Sequence, residues 1–385
     1  MRNVLLLVLG VTLSFYLNAQ TGISFQKSWE DALEQATSGD KMIFVDAYTT
    51  WCGPCKAMSK NVFTDGKVGA FYNENFVNVK VDMEKGIGLE LARKYKVRAY
   101  PTLLYLDNQG NELHRAVGYL DTDQFLEMGQ LVQDPTKQMA FLKKKYDGGD
   151  RSPKTLLNYS KAVFDAYTGG HEKIALEYLQ TEDDWKTEEN LKYIFAMVET
   201  IDSPLFQYMK ENRAAFDALF GTNQVTSRLE NLVYNSIYAF GEMPTPEQVH
   251  TVFQKAYPEK ADMMTAKYKI SYLLDMGQPD EFAAATVDYF KAYPSESAEE
   301  YNEYAWTFFE EVESKKWLKK GIKLAKKSVA LDESYYNMDT LAALYFKTGK
   351  KKNALKAANR AIELAESEGL DSSETKELLK RIEAL

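Results

Sequence analysis

Cysteine is almost absent from this sequence: 385 residues contain only Cys52 and Cys55, within the stretch TTWCGPCKAM at 49–58. A disulfide framework is therefore excluded, because a single pair three residues apart closes a short loop and removes little chain entropy from the unfolded state. Histidine is also scarce, since His114, His171 and His250 form no pair at ligand spacing. Structural zinc normally takes four protein ligands, which argues against a zinc site. Redox exchange fits the two thiols better.

The sequence also lacks an excess of positive charge, because 47 Lys and Arg residues stand against 56 Asp and Glu, for a net charge of −9. A nucleic-acid partner would need a basic footprint, so none is expected. Aromatic residues make up 13%, with 25 tyrosines, which supplies core material and argues against disorder. The length predicts two or three domains.

Long apolar runs are missing except near the start of the sequence. An uncharged and almost wholly apolar run, Val4 to Leu17, follows Met1 and Arg2 and precedes Ala19. This pattern is typical of a secretory signal cut after Ala19, at residues 1–19. The run is shorter than the roughly 20 residues of a membrane-spanning helix, although an uncleaved anchor is the alternative. We therefore expect an exported protein, in the periplasm, with no lipid-modified cysteine at the cut site.

Residues 20–133 alternate between strand and helix patterns. The run from Met42 to Val45 is continuously apolar, which suits a strand buried on both faces of a parallel sheet. Val77, Val79 and Val81 alternate with polar residues and predict a second strand. The other predicted elements are a helix from Ser28 to Gly39 with Asp31 at the capping-box position, a helix from Glu84 to Tyr95, strands Leu103–Leu106 and Glu112–Val117, and a helix opened by Asp121. This order predicts an α/β domain with a mixed sheet.

From residue 134 onward the pattern is helical, with no convincing strand, and we divide it into a helical region at 134–296 and a more regular one at 297–385. The regular part carries small and apolar residues at the spacing of a helix-turn-helix repeat: Leu341, Ala342, Tyr345, Gly349, Ala354, Ala358, Ala361 and Leu364. It resembles a tetratricopeptide repeat, with Met338 where that pattern favours Trp and Glu366 where it favours Pro. An upstream partial copy is carried by Ala305, Phe308, Gly321, Ala325, Ser328 and Leu331, at a spacing about four residues longer.

Lysine is concentrated near the C-terminal end of the sequence. The spacing of Lys316, Lys319, Lys320, Lys323 and Lys327 places them on one face of a predicted helix. A solvated helix face is the simpler interpretation. Peripheral contact with an acidic protein or with anionic lipid head groups stays open as the alternative.

The two cysteines have the spacing that thiol exchange requires. Cys52 follows a predicted strand and precedes a predicted helix, whose free amide groups and dipole favour a thiolate there. Pro54 fits the first turn of that helix, where its missing N–H does no harm. Cys55 lies about one turn further on, so both sulfurs share a face. One sulfur can then attack a disulfide of a partner and the other can resolve the mixed disulfide.

The sequence WCGPC after a buried strand, followed by YPT at 100–102 before a hairpin, resembles the thioredoxin family over residues 25–133. The resemblance implies an α/β thioredoxin fold, followed here by an all-α helical-repeat region. It implies that Cys52 is the nucleophile and Cys55 the resolving thiol, and that the two form a redox-active disulfide. Trp51 is expected to cover one flank of the site and contact the substrate.

Three further roles are implied by the same resemblance. Asp46 matches the buried carboxylate that accepts the proton of the resolving cysteine. Pro101 matches the cis-proline that faces the sulfurs, and Tyr100 offers backbone hydrogen bonds to an extended substrate. The family's lysine near the buried carboxylate has no clear counterpart, because Asn78 occupies the aligned strand position and Lys80 lies two residues further on.

The segment at 62–68 is longer than in small thioredoxins and is more similar to the periplasmic thioredoxin-like domain of the DsbD family of membrane electron-transfer proteins. This likeness implies a reductive role outside the cytoplasm. The sequence therefore predicts an exported thiol–disulfide oxidoreductase that reduces or isomerises protein disulfides, with a helical region for partner binding. Its partners are expected to be proteins with disulfides and a membrane or soluble thiol electron donor, without cofactor or metal. The alternative is a helical-repeat binding or assembly protein with a subsidiary redox domain.

Overall fold

The computed structural model describes residues 22–384, so the predicted signal at 1–19 lies outside the described residues. All strands of the described chain fall between residues 25 and 117. They are β1 (Phe25–Gln26), β2 (Met42–Tyr48), β3 (Phe76–Asp82), β4 (Thr102–Leu106) and β5 (Glu112–Val117). The sheet order is β1-β3-β2-β4-β5, with β1, β3 and β2 parallel, β4 antiparallel to β2 and β5 antiparallel to β4. The predicted mixed sheet is confirmed.

Five helices accompany this sheet: α1 (Trp29–Gly39), α2 (Gly53–Asn61), α3 (Gly66–Asn75), α4 (Gly88–Lys94) and α5 (Thr122–Val132). Side chains alternate along β2, so Ile43 and Val45 pack with α1 and α4 while Phe44 packs with α2, α3 and α5. Both faces of β2 are therefore covered by helices. This burial explains the continuous apolar run at 42–45.

The start of α1 follows the capping signal of the sequence, but the start of α4 differs from the prediction. Ser28 Oγ accepts the amide of Asp31 at 3.0 Å, as expected for the N-cap of α1. Helix α1 ends at Gly39 as predicted, and the residue that follows it, Asp40, takes the left-handed conformation with φ of 49°. The prediction of a helix from Glu84 was wrong, because α4 begins at Gly88 after a turn. A Cβ at Gly88 would lie 2.0 Å from the carbonyl oxygen of Asp82, so only glycine permits this approach.

Two elements, α3 and β1, are absent from the sequence prediction. Helix α3 has the sequence GKVGAFYNEN, in which glycine, asparagine and aromatic residues are poor helix formers. It is held by tertiary contacts, since the buried Tyr72 donates to the carbonyl oxygen of Phe125 at 2.8 Å. Strand β1 has two residues, too few to show a period.

The described residues after the sheet are helical, as predicted. A short 3-10 helix (Pro135–Lys137) leads to α6 (Met139–Asp147), α7 (Pro153–Asp165), α8 (His171–Leu179) and α9 (Glu188–Met197). The chain divides between Glu199 and Thr200 into two compact units, so these helices share a unit with the sheet. Helices α6 and α7 pack against β5. His114 on β5 is buried and accepts the backbone amide of Met139 at its Nδ1, 3.1 Å away.

The second unit contains only helices in its described part. They are α10 (Pro204–Glu211), α11 (Arg213–Phe220), α12 (Thr222–Tyr238), α13 (Pro246–Ala256), α14 (Ala261–Asp275), α15 (Pro279–Ala292), α16 (Ala298–Glu311), α17 (Lys315–Leu331), α18 (Tyr335–Lys347), α19 (Lys351–Glu368) and α20 (Ser373–Glu383). Helix α16 packs on α17 and α18 packs on α19. At Gly321 an added Cβ would lie 2.8 Å from the Cβ of Phe308, so glycine allows the close approach of α16 and α17. In α17, Leu318 and Ile322 are buried while Lys316 and Lys323 are exposed.

No helix among residues 22–384 is both long enough and apolar enough to cross a bilayer.

Candidate functional site

Cys52 and Cys55 form a disulfide at the N-terminal end of α2, with an S–S distance of 2.03 Å and Cα atoms 5.3 Å apart. Cys52 is the N-cap residue, and its Sγ accepts the backbone N–H of Cys55 at 3.1 Å. Both side chains are 3% exposed. The backbone amide of Cys55, in the first turn of α2, thus points at Cys52 Sγ, where it would stabilise negative charge.

The neighbouring strands explain how this turn is held. Chain residues between β2 and α2 form a turn in which the amide of Cys52 donates to the carbonyl oxygen of Thr49 at 3.3 Å. Ala47 near the end of β2 pairs with Thr102 at the start of β4, which brings the preceding Pro101 beside this turn. The Tyr100–Pro101 peptide bond is cis. The carbonyl oxygen of Pro101 accepts the amide of Gly118 at 2.9 Å.

Asp46 is fully buried in β2. Alternation along the strand puts it on the same face as Phe44, the face that α2 covers. Lys80 on β3 stands opposite Asp46 in the parallel register, and its Nζ lies 3.1 Å from Asp46 Oδ2. Asp46 Oδ1 has no hydrogen-bond partner among the described residues. Burial raises the pKa of Asp46, and the charge of Lys80 opposes that rise without cancelling it.

Lys80 is the counter-ion that the sequence analysis failed to identify. Its side chain is 26% exposed, and its ammonium also donates to Ser59 Oγ on α2. Three aromatic rings surround the ammonium, with centroids 5.1 Å (Tyr48), 5.2 Å (Phe63) and 5.5 Å (Phe25) away. The family's lysine was predicted to have no clear counterpart, and this prediction was wrong: the parallel register of β2 and β3 places Lys80, rather than Asn78, opposite Asp46.

Trp51 and Tyr100 lie together at the exposed edge of the site. Trp51 is 64% exposed, and its ring meets that of Tyr100 edge-on with centroids 5.8 Å apart. The indole N–H of Trp51 donates to both carboxylate oxygens of Glu84 at 3.0 Å. Burial, followed by the charges of Glu84 and Asp82, raises the pKa of Tyr100. Glu84 is a second site residue that sequence reasoning missed, and its position two residues after the end of β3 was the available signal.

The described residues contain no group of three or more His, Cys, Asp or Glu side chains that could hold a metal ion. Chemically, the site combines a disulfide at a helix N-terminus, a buried carboxylate with a lysine counter-ion, and an exposed aromatic edge.

Comparison with known proteins finds two family matches. Residues 29–133 match the family described as "Thioredoxin-like domain". Residues 286–372 match a family described as "Cohesin loading factor", a likeness confined to that helical segment.

Individual relatives match about a quarter to a third of the chain. A thioredoxin of Echinococcus granulosus is 40% identical over 88 residues, which are 23% of this chain and 76% of the relative. The thiol:disulfide interchange protein DsbD of Yersinia pestis is 33% identical over 105 residues, 26% of this chain, and the chain spans only 18% of the length of that relative. A solved Bacteroides thetaiotaomicron protein, assigned as a disulphide-isomerase, is 48% identical with a TM-score of 0.28, covering 30% of this chain and 95% of its own.

Proposed function

The chain belongs to the thioredoxin family, and on that premise we propose that it is an exported thiol–disulfide oxidoreductase that reduces or isomerises protein disulfides. The observation that carries the proposal is the Cys52–Cys55 disulfide at the N-terminus of α2, with the Cys55 amide donated to Cys52 Sγ. An amide aimed at a sulfur stabilises negative charge on it, which a nucleophilic thiolate and a leaving thiolate both require.

The reaction starts from the reduced dithiol. The Cys52 thiolate attacks one sulfur of a substrate disulfide, forms a mixed disulfide and releases one substrate thiolate. Cys55 then loses its proton and attacks Cys52 Sγ, which closes the Cys52–Cys55 bond and releases the second substrate thiolate. Two electrons pass from the dithiol to the substrate. A thiol donor, membrane-bound or soluble, returns two electrons and two protons to the chain.

Asp46 is proposed to accept the proton of Cys55. Its location under α2 and a pKa raised by burial suit a group that must take up and release a proton. Lys80 holds the carboxylate charged between turnovers through its 3.1 Å contact. Without that cation, burial would favour the protonated carboxyl, which cannot act as a base.

Trp51, Tyr100 and Pro101 are proposed to bind the substrate segment. Trp51 offers an exposed ring that Glu84 holds in one orientation. The backbone beside the cis bond at Tyr100 can pair with an extended peptide, as a strand edge does.

The remaining assignments are proposals that rest on the sequence pattern. They are export with cleavage after Ala19, a redox domain at 20–133, a helical region at 134–296 and tetratricopeptide-like repeats at 297–385. The helical part of the chain is proposed to bind partner proteins. Contact of the lysine-rich face of α17 with an anionic surface stays a prediction.

A second candidate function, peptide binding by the second unit with the redox domain subsidiary, is favoured by one observation. A groove of about 960 Å³ lies between α17, α18 and α19, with Met338, Leu341 and Tyr345 on its wall and Lys356 and Arg360 at its side. Concave surfaces between stacked helices suit extended peptides.

Reduction of insulin disulfides by the whole chain distinguishes the two functions. We expect catalysis by the wild type, its loss in Cys52→Ala, and accumulation of mixed disulfides with substrate in Cys55→Ala. Absence of activity in the wild type, or activity that survives Cys52→Ala, would favour the binding function.

A further inference from the structure

A cavity of about 320 Å³ lies in the first unit beside the segment that carries the cis bond. Ala99 and Thr102 line it from that segment, and Tyr167 lines it from the turn that follows α7. We propose that this cavity binds an acidic side chain of the protein whose disulfide Cys52 attacks. The inference rests on the proposed reductase function and adds a substrate class, namely disulfides flanked by Asp or Glu.

The side chains that line the cavity leave it with net positive charge. Four ionisable side chains line it: Lys96, Arg98, Arg115 and Glu112. Arg115 is already neutralised, because its Nε donates to Glu112 Oε1 at 2.6 Å and its Nη2 contacts both Glu112 Oε2 and the carbonyl oxygen of Tyr95. Lys96 and Arg98 have no ion-pair partner among residues 22–384. Two uncompensated positive charges therefore face a concave surface, which favours an anion.

The position of the cavity links it to the exchange site. Ala99 and Thr102 flank Tyr100 and Pro101 on both sides, and Thr102 Oγ1 donates to the carbonyl oxygen of Ala99 at 2.7 Å. This hydrogen bond holds the turn from Ala99 to Thr102 in one conformation. A substrate strand that pairs with the backbone at Tyr100 runs past this segment, so side chains near the attacked cysteine come within reach of the cavity.

Two acidic side chains influence Tyr100 itself. Asp82 and Glu84 lie close enough to Tyr100 to contribute, after burial, to the raised pKa of its hydroxyl. Lys85 pairs with Asp82 at 3.1 Å, so Glu84 is the charge that repels an acidic side chain near Tyr100, while Lys96 and Arg98 attract one in the cavity. The volume of the cavity also suits a hydrated carboxylate, since a water molecule takes about 30 Å³ in the liquid.

The test measures single-turnover reduction of peptide disulfides by the pre-reduced full-length chain, which removes any dependence on an electron donor. Three disulfide peptides are compared. They differ only in the three residues next to the cysteine, which are all Glu in the first peptide, all Gln in the second and all Lys in the third. The variants are Lys96→Gln/Arg98→Gln and, as a matched control, Lys67→Gln, which removes a positive charge from α3 outside the cavity. Rate constants are obtained by acid quench, alkylation and mass spectrometry.

We expect the wild type to reduce the Glu peptide about tenfold faster than the Gln peptide. Tenfold corresponds to about 1.4 kcal/mol, which two partly exposed ion pairs can supply. The double variant should reduce both peptides at the rate the wild type shows for the Gln peptide, and Lys67→Gln should keep the preference. Equal wild-type rates for Glu and Gln peptides, or a preference that survives in the double variant, would overturn the inference while leaving the reductase function intact. Failure to reduce any of the three peptides would instead overturn the proposed function.

Discussion

Replacing Lys80 by methionine tests the role of the buried ion pair most sharply. The change removes the ammonium 3.1 Å from Asp46 Oδ2 but keeps an apolar side chain against the surrounding rings. At that distance, the gross attraction at an effective dielectric constant of 20 is about 5 kcal/mol. Removing one partner of a buried ion pair costs about 3–5 kcal/mol. Because Lys80 is 26% exposed and partly screened, we expect a loss of about 3 kcal/mol.

The expected loss depends on pH, and its sign follows from Asp46. Burial already holds the pKa of Asp46 above its usual value, and removing Lys80 raises it further. A folded state with the higher pKa binds more protons than the unfolded chain, so its stability falls as pH rises through that interval. The loss caused by Lys80→Met is therefore larger at pH 8 than at pH 5.

Hydrogen exchange of the β2 and β3 amides measures this loss without interference from the second unit, because it reports the free energy of opening for these strands. Lys85→Met is the matched control, since Lys85 Nζ also lies 3.1 Å from a carboxylate, that of Asp82, but its side chain is 70% exposed. The control should cost less than about 1 kcal/mol. Equal losses in the two variants, or a loss in Lys80→Met that is independent of pH, would refute the assigned role of Lys80.

Three other changes probe separate contacts. Glu84→Gln should move the indole N–H resonance of Trp51 upfield by weakening its charge-assisted hydrogen bonds, and an unchanged resonance would contradict that contact. Gly321→Ala should destabilise the second unit by about 1–3 kcal/mol in urea unfolding, since the new Cβ would meet Phe308 at 2.8 Å, and an unchanged midpoint would show that α16 and α17 are less tightly packed. Burial lowers the pKa of His114 to about 4, below its unfolded value of about 6.5. Because the unfolded chain takes up the proton first, the opening free energy of β5 should fall by roughly 3 kcal/mol between pH 7 and pH 4. His114→Gln should remove that component, and hydrogen exchange that kept the full pH dependence in this variant would contradict it.

The sequence predicted the sheet well where burial leaves a pattern. Strand β5 was found at its observed bounds, Glu112–Val117, because a turn precedes it and its residues suit a half-buried strand. Helix α3 was not predicted because its residues favour other conformations. Its stability comes from tertiary contacts, such as that of Tyr72 with Phe125, and such contacts leave no periodic pattern in the sequence. The start of α4 was also predicted wrongly, because it depends on a tertiary contact, the close approach of Gly88 to Asp82.

The candidate site divides in a similar way. Cys52 and Cys55 are neighbours in sequence, so their spacing alone predicts that the sulfurs can meet. Lys80 and Asp46 belong to different strands, and only the parallel register of β2 and β3 brings them together. A shift of one residue in that register would turn Lys80 to the other face, which is why the sequence alone did not identify it.

The central claim is that the amides at the N-terminus of α2 activate Cys52 for thiol exchange. The most direct measurement is the rate of alkylation of Cys52 by iodoacetamide in the reduced, full-length chain as pH is varied. The account predicts that this rate is already close to its plateau at pH 7.5. A rate that still rises steeply through pH 8.5, as for an ordinary exposed thiol, would contradict it.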